Sequence, residues 1–210
     1  MDEPRATLRE TGLIFRNGAY CRNPVLVAAL SLYPVAAAGT GLKNAAALSL
    51  LFLLTALPSQ LLMCWLGMLV PKWARPAAAL AATAACSVPA AFALQAVSPG
   101  APARLGMAAA LTACNSALYS RAEEYAPEHV FPAVLADALG CSAGFAAAAG
   151  AVSALRELWL TGGLWNAGSY GGGVGAGLDR PFAGFLLLGL LAALVQRGNL
   201  RRAERSGREG

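Results

Sequence analysis

Apolar residues in this chain are gathered into six long blocks, and no other feature constrains the fold as strongly. The blocks are close to the roughly 17–25 residues that a helix needs to cross a bilayer. Only 13% of the 210 residues are charged, against roughly 25% in a soluble domain. The sequence therefore predicts an all-α membrane protein with six transmembrane helices, at residues 24–42, 45–70, 76–97, 105–120, 131–155 and 181–196.

This six-helix membrane domain, residues 23–196, is predicted to lie between a cytoplasmic N-terminal segment (1–22) and a basic cytoplasmic tail (197–210). The orientation follows from the sixteen lysines and arginines, because six spans would place twelve of them on one side of the membrane. The four on the other side are Lys43, Arg104, Arg156 and Arg180. The positive-inside rule then puts both termini in the cytoplasm. The expected location is the inner membrane of a bacterium. The net charge of +5 thus indicates orientation and contact with the lipid bilayer, not nucleic-acid binding.

The first span of each three-helix half is defective. Pro34 interrupts span one, and span four is short and contains the polar stretch Cys114–Ser116. Two repeats with an odd number of spans insert with opposite orientations, and interrupted spans at matching positions point to a functional centre near the midplane. We therefore predict two inverted three-helix repeats with broken first helices. A simple kink at Pro34 and an interhelical hydrogen bond from Asn115 are the alternatives for each defect taken alone.

The five cysteines form no recognisable ligand or disulfide pattern. They are Cys21, Cys64, Cys86, Cys114 and Cys141. Their number is odd and no two have the C-x-x-C spacing, which argues against a disulfide framework and a self-contained zinc site. The glycine-rich stretch 168–177 lacks the Lys-Ser/Thr of a P-loop and is interpreted as a loop.

Charged residues near two of the predicted spans are candidates for an ion pathway. Asp137 lies inside span five, where an ionised side chain costs roughly 2.5–3.5 kcal/mol. It either serves an ion pathway or has a structural role, as a partner for Arg121 or as a capping group, and both interpretations stay open. Arg121 and Glu123 directly follow span four. The simpler interpretation is a solvated helix end, and the alternative is that Glu123 lines a cation entrance or docks a partner.

Several motifs in collinear order resemble one family of membrane subunits, the RnfE/NqrD type of the Rnf and Na⁺-translocating NADH:quinone oxidoreductase complexes. The resemblance runs from Asn23 to about Gln196. The segments that carry it are "NPVLVAALSLYP" (23–34), "NSALYSRAEEYA" (115–126), "LADALGCSAGF" (135–145), "LREL" (155–158, in the family's last loop) and "PFAGFLLLGLLAAL" (181–194).

The resemblance implies a six-helix subunit with an inverted repeat and no catalysis of its own. It implies a homologous partner subunit of opposite topology, together with other subunits of the complex. In the family, two cysteines of this subunit and two of its partner hold a [2Fe–2S] cluster, whose electron relay is coupled to Na⁺ or H⁺ movement.

This chain departs from the family at both expected ligand positions, which hold Tyr33 and Ser116. Cys114 lies two residues before Ser116, about 200° round a helix, so it does not simply replace the missing thiol. We therefore expect the cluster to be absent or altered. Two functions remain: a working subunit of an ion-translocating electron transport complex, or a diverged paralogue that acts as an assembly partner or small transporter.

Overall fold

A computed structural model describes residues 8–16, 18, 30–38, 41–67, 69–163, 165 and 181–206. Within these ranges the chain forms nine α-helices and no β-strand. They are α1 Leu8–Arg16, α2 Leu32–Ala38, α3 Leu42–Leu66, α4 Arg75–Val97, α5 Ala101–Leu105, α6 Met107–Leu111, α7 Ser116–Ser120, α8 Phe131–Thr161 and α9 Pro181–Ser206. Cys21, residues 24–29 of predicted span one and the glycine-rich stretch 168–177 lie outside the described residues.

Four of these helices, α3, α4, α8 and α9, are long and apolar enough to cross a membrane. They correspond to predicted spans two, three, five and six. The apolar residues of α3, α4 and α8 surround the helix instead of forming one stripe, which is the pattern of a helix that meets lipid or core on every side. The predicted all-α membrane class is confirmed.

The core lies between α3 and α8, which run antiparallel. The rings of Phe52 and Phe145 stack across this interface with their centroids 4.2 Å apart. Ten residues toward the start of α3, the backbone N–H of Leu42 donates to the carboxylate of Glu157 near the end of α8. These two contacts fix the relative direction of α3 and α8. We name the two ends of the bundle after the termini of α3, the Leu42 end and the Leu66 end.

The fourth predicted segment is broken, as its sequence indicates. A 3₁₀ turn, Thr112–Cys114, follows α6 and ends at Asn115, whose extended backbone (ψ 123°) interrupts the helical path before α7. A further break at Gly106, with φ of 53°, separates α5 from α6. This segment therefore enters from the Leu42 end and restarts as α7 partway through the bundle.

The break in the first predicted segment lies at Ser31, not at Pro34. Ser31 has a positive φ of 60°, and α2 begins directly after it. Pro34 is the third residue of α2, where its missing N–H costs nothing because the first turn of a helix has no intrahelical acceptor for that group. The predicted break in this span exists, but the prediction that it lies at Pro34 is wrong, because it lies three residues earlier at Ser31.

The motif "LREL" is not in a loop, because α8 continues through it to Thr161. Arg156, placed by the sequence on one face of the membrane, is completely buried within the bundle. Burial reflects tertiary contacts with α2 and α3 that the local sequence does not contain.

Two glycines allow short helices to approach the long ones closely. A Cβ atom added to Gly140 of α8 would lie 2.6 Å from the carbonyl oxygen of Phe15 in α1. A Cβ atom added to Gly184 of α9 would lie 2.7 Å from the carbonyl oxygen of Ala36 in α2. Small residues therefore set the positions of α1 and α2, as is typical of helix packing in membranes.

We predict that Gly184→Ala destabilises the protein, whereas Gly189→Ala does not. At position 184 the new methyl group would collide with backbone, which costs about 1–3 kcal/mol when neighbours must shift. A Cβ at Gly189, in the same helix, meets nothing within 4 Å. Thermal unfolding of both variants in one detergent tests this difference, and equal midpoints would contradict the proposed close packing of α9 on α2.

Candidate functional site

The broken segments meet at a junction formed by Ser31, Asn115 and Ser116. The backbone N–H of Ser31 donates to the hydroxyl oxygen of Ser116 at 3.1 Å, and the Ser31 hydroxyl donates to the side-chain oxygen of Asn115. From this junction α2 leads toward the Leu42 end, where its carbonyls reach Arg156, and α7 leads toward the Leu66 end. Two short helices thus begin at one place and run in opposite directions.

Asn115 caps α7 and also joins it to α2. Its side-chain oxygen accepts the backbone N–H of Ala117 at 3.0 Å, the usual role of asparagine at a helix N-cap. Asn115 is only 4% exposed, and its side-chain nitrogen has no hydrogen-bond partner among the described residues. The polar stretch in the fourth segment therefore satisfies backbone groups that a break at this depth would otherwise leave without partners.

All three sequence-predicted cofactor positions line one cleft beside the junction. The cleft has a volume of about 350 Å³, and its wall includes Tyr33, Cys114 and Ser116. Tyr33 is 43% exposed, and its phenol group points toward the sulfur of Met107 at 3.9 Å. The structure thus brings the three residues together, although Tyr33 is directed away from Ser116.

The donor atoms at this cleft do not fit a standard [2Fe–2S] cluster, which is held by four thiolates. The two positions predicted from the sequence to hold cluster ligands, Tyr33 and Ser116, present a phenol and a hydroxyl group, and the Ser116 oxygen already accepts the N–H of Ser31. Cys114 is the single thiol among the residues that line the cleft. Across the described ranges, no three histidine, cysteine or acidic side chains are grouped so that they could hold a metal ion.

A second polar cluster lies toward the Leu66 end. The Arg121 guanidinium lies 3.4 Å from Asp137 Oδ1 and 5.9 Å from the centre of the Tyr125 ring. Asp137 is only 3% exposed, and its other oxygen, Oδ2, has no partner within the described part of the chain. Arg121–Tyr125 forms a π-helical turn, a conformation that is frequent at functional sites.

Tyr125 ends this turn, and Glu128 and His129 just beyond it are exposed. Burial raises the pKa of the Tyr125 phenol, and the charge of Asp137 raises it further. The ring of His129 stacks on Tyr125 with 3.8 Å between centroids. Glu123 is partly exposed and hydrogen-bonds with the Tyr119 phenol. The structure therefore places Glu123 at the edge of the Arg121–Asp137 cluster, outside its ion pair.

Arg156 and Glu157 are the buried charges whose role the sequence did not indicate. Arg156 donates to the carbonyl oxygen of Ala36 at 2.8 Å, near the end of α2. Glu157 accepts the N–H of Leu42 at 2.8 Å, at the start of α3. Arg156 thus binds a carbonyl group near the C-terminus of α2, and Glu157 binds an N–H group at the N-terminus of α3. Each side chain has the sign of charge that the helix dipole favours at that end. The available signal was helical spacing, since Arg156 lies four residues after the buried Val152.

We predict that Arg121→Met destabilises the protein by about 3 kcal/mol, because removing one partner leaves the buried Asp137 charge uncompensated. Adding Asp137→Asn to this variant is expected to restore part of the loss. The matched control is Glu128→Gln, which breaks the Arg75–Glu128 pair, also 3.4 Å long but exposed on the Glu128 side, and should cost under about 1 kcal/mol. Unfolding midpoints in detergent give the comparison; equal losses for the two single variants would contradict it.

Comparison with known proteins relates nearly the whole chain to one group. The profile described as "Rnf-Nqr subunit, membrane protein" matches residues 12–195. A relative from Clostridium ljungdahlii, the E subunit of a proton-translocating ferredoxin:NAD(+) oxidoreductase complex, is 26% identical over 185 residues, which cover 87% of each protein. The matched region includes the junction, the cleft and the Arg121–Asp137 pair.

Proposed function

Because the chain belongs to the Rnf-Nqr subunit family of membrane proteins, we propose that it is an integral membrane subunit of an Rnf/Nqr-like electron transport complex. In such a complex, electron transfer would be coupled to translocation of Na⁺ or H⁺, and this chain would have no independent catalytic activity. The observation that carries the proposal is the match over residues 12–195, supported by the relative from Clostridium ljungdahlii that is named as such a subunit.

The proposed architecture has six spans in two inverted repeats, with both termini in the cytoplasm of a bacterial cell. The junction supports it, because α2 and α7 begin together and run toward opposite ends of the bundle. Residues 1–22 and the tail 197–210 would then lie on the cytoplasmic side of the inner membrane. The partner would be a homologous subunit of opposite topology, along with the other subunits of the complex.

An ion pathway would use Asp137 in the half of the bundle nearer the Leu66 end. Gln60 of α3 lies at the same level, since each residue is eight positions from the stacked Phe52–Phe145 pair toward that end. Gln60 is completely buried, and both of its amide atoms lack partners among the described residues. An acidic side chain inside a membrane segment typically marks an ion route, and Gln60 would add an unpaired oxygen at the same level. Arg121 would balance the charge of Asp137, and Glu123 would lie near the entrance.

A second candidate function follows from the cleft. Ser116 keeps the junction's hydrogen bond, and Tyr33 lines the cleft beside it, but neither residue supplies a thiol. The chain could therefore keep the fold while losing the iron–sulfur relay. It would then act as an assembly partner or a small transporter. The two candidates differ in whether the chain works within an electron transport complex, while both keep it in the membrane.

Affinity purification of the tagged full chain from its native membrane tests the subunit proposal. We expect other membrane and redox subunits of the complex to copurify in fixed stoichiometry, because a subunit without catalysis of its own functions only when assembled. Quantitative mass spectrometry of the purified material measures this. A chain that is recovered without such subunits under mild detergent conditions would contradict the first candidate and favour a small transporter.

Iron content, measured when the chain is purified with its partner subunits, tests whether the cleft beside the junction holds a cluster. We predict that the unaltered cleft contributes no reducible [2Fe–2S] signal in electron paramagnetic resonance, because it lacks two of the four thiolates. The double variant Tyr33→Cys, Ser116→Cys is expected to gain up to two iron atoms per complex, and Cys114→Ala should leave iron unchanged. The opposite result would be stoichiometric iron that remains in Cys114→Ala and is lost in the double variant Tyr33→Phe, Ser116→Ala. It would show that the oxygen atoms of Tyr33 and Ser116 hold a cluster.

A further inference from the structure

Two basic residues at the Leu42 end line the same cavity, although the distribution of charge along the chain leaves few cations at this end. The cavity measures about 290 Å³ and lies between the start of α3, the end of α4, α5 and Trp165. Lys43 and Arg104 are both exposed on its wall. Neither of these two residues belongs to the junction or to the proposed ion route.

No acidic side chain in the described part of the chain pairs with the two cations of this cavity. Neither Lys43 nor Arg104 forms an ion pair with any described residue. One Arg104 nitrogen reaches only the carbonyl oxygen of Pro99, at 3.5 Å. Glu157, the described carboxylate at this end, is buried beside Arg156, and one of its oxygens accepts the N–H of Leu42. The cavity therefore presents two free cations to a ligand.

The cavity is polar at its mouth and apolar toward the middle of the bundle. Leu50 lies seven residues after Lys43, which is about 10 Å along α3, and it lines the deeper wall. On α4, Leu94 lies about 6 Å deeper than Ser98, which lines the mouth. A small free anion would need only the cations, whereas a molecule with an anionic head and a hydrocarbon tail would match both parts.

We propose that this cavity binds an anionic phospholipid, with the lipid phosphate between Lys43 and Arg104 and an acyl chain along Leu50 and Leu94. A phosphate oxygen can accept hydrogen bonds from both cations and from the Ser98 hydroxyl. Trp165, exposed at the mouth, is the side chain type that concentrates at the headgroup level of a membrane. The site is independent of electron transfer and of the cleft beside the junction.

Lipid binding to the purified full chain tests the proposal by native mass spectrometry. Phosphatidylglycerol is expected to bind saturably, and phosphatidylcholine with the same acyl chains is expected to bind much more weakly. The double variant Lys43→Gln, Arg104→Gln should lower the affinity for phosphatidylglycerol about 30-fold, or about fivefold for each charge. Lys72→Gln removes an exposed cation at the Leu66 end and should leave the affinity within about twofold of the unaltered value.

Three results would overturn the proposal. They are equal binding of phosphatidylglycerol to the double variant, equal binding of phosphatidylcholine to the unaltered chain, and displacement of phosphatidylglycerol by millimolar inorganic phosphate, which would indicate a free-anion site. Photoreactive phosphatidylglycerol keeps the test valid if the double variant does not fold. On the unaltered chain it should label peptides containing residues 43–50 and 94–104, and labelling confined to the Leu66 end would also refute the site.

Discussion

The hydrogen bonds between Ser31, Asn115 and Ser116 are the interaction on which the rest of the structure depends. A helix that breaks inside a bilayer exposes backbone groups that lipid cannot satisfy, so a broken helix persists only where protein supplies the partners. Here each broken segment supplies hydrogen-bond partners for polar groups of the other. The N–H of Ser31 finds the Ser116 hydroxyl, and Asn115 caps α7 while it accepts the Ser31 hydroxyl. Ser31 and Asn115 are buried at this junction, whereas Ser116 is exposed in the cleft beside it.

The junction fixes only the start of α2, and buried charges fix its other end. Arg156 binds the last turn of α2 and Glu157 binds the first N–H of α3, so two adjacent residues of α8 bridge the connection between these helices. Breaking such an arrangement by removing one charge leaves the other buried without compensation, which is strongly unfavourable. The close contact of Gly184 with Ala36 then holds α2 from the side of α9. The cleft is thus positioned by contacts from three separate helices.

The sequence predicts the parts of this fold that local composition determines. The long apolar runs specify α3, α4, α8 and α9, and the polar stretch Cys114–Ser116 specifies the break before α7. In the first segment the sequence points to a break at Pro34, because proline is the residue there that is known to disrupt helices. The backbone turns instead at Ser31. Its partners are 84 and 85 residues away in the chain. The burial of Arg156 likewise depends on Ala36, 120 residues away, and no local pattern indicates such contacts.

The junction and a metal cluster require different side chains at position 116. The junction needs an acceptor for the N–H of Ser31, and a hydroxyl oxygen is a stronger acceptor than a thiol sulfur. A cluster needs a thiolate, which serine does not supply. Compared with the cysteine that the family resemblance leads us to expect at this position, Ser116 gives a stronger contact between the broken helices and no thiolate. Tyr33, exposed and directed toward Met107, takes no part in the junction's hydrogen bonds. The chain has the side chains that stabilise the broken helices, and it has no thiol at either position where the family resemblance leads us to expect a cluster ligand.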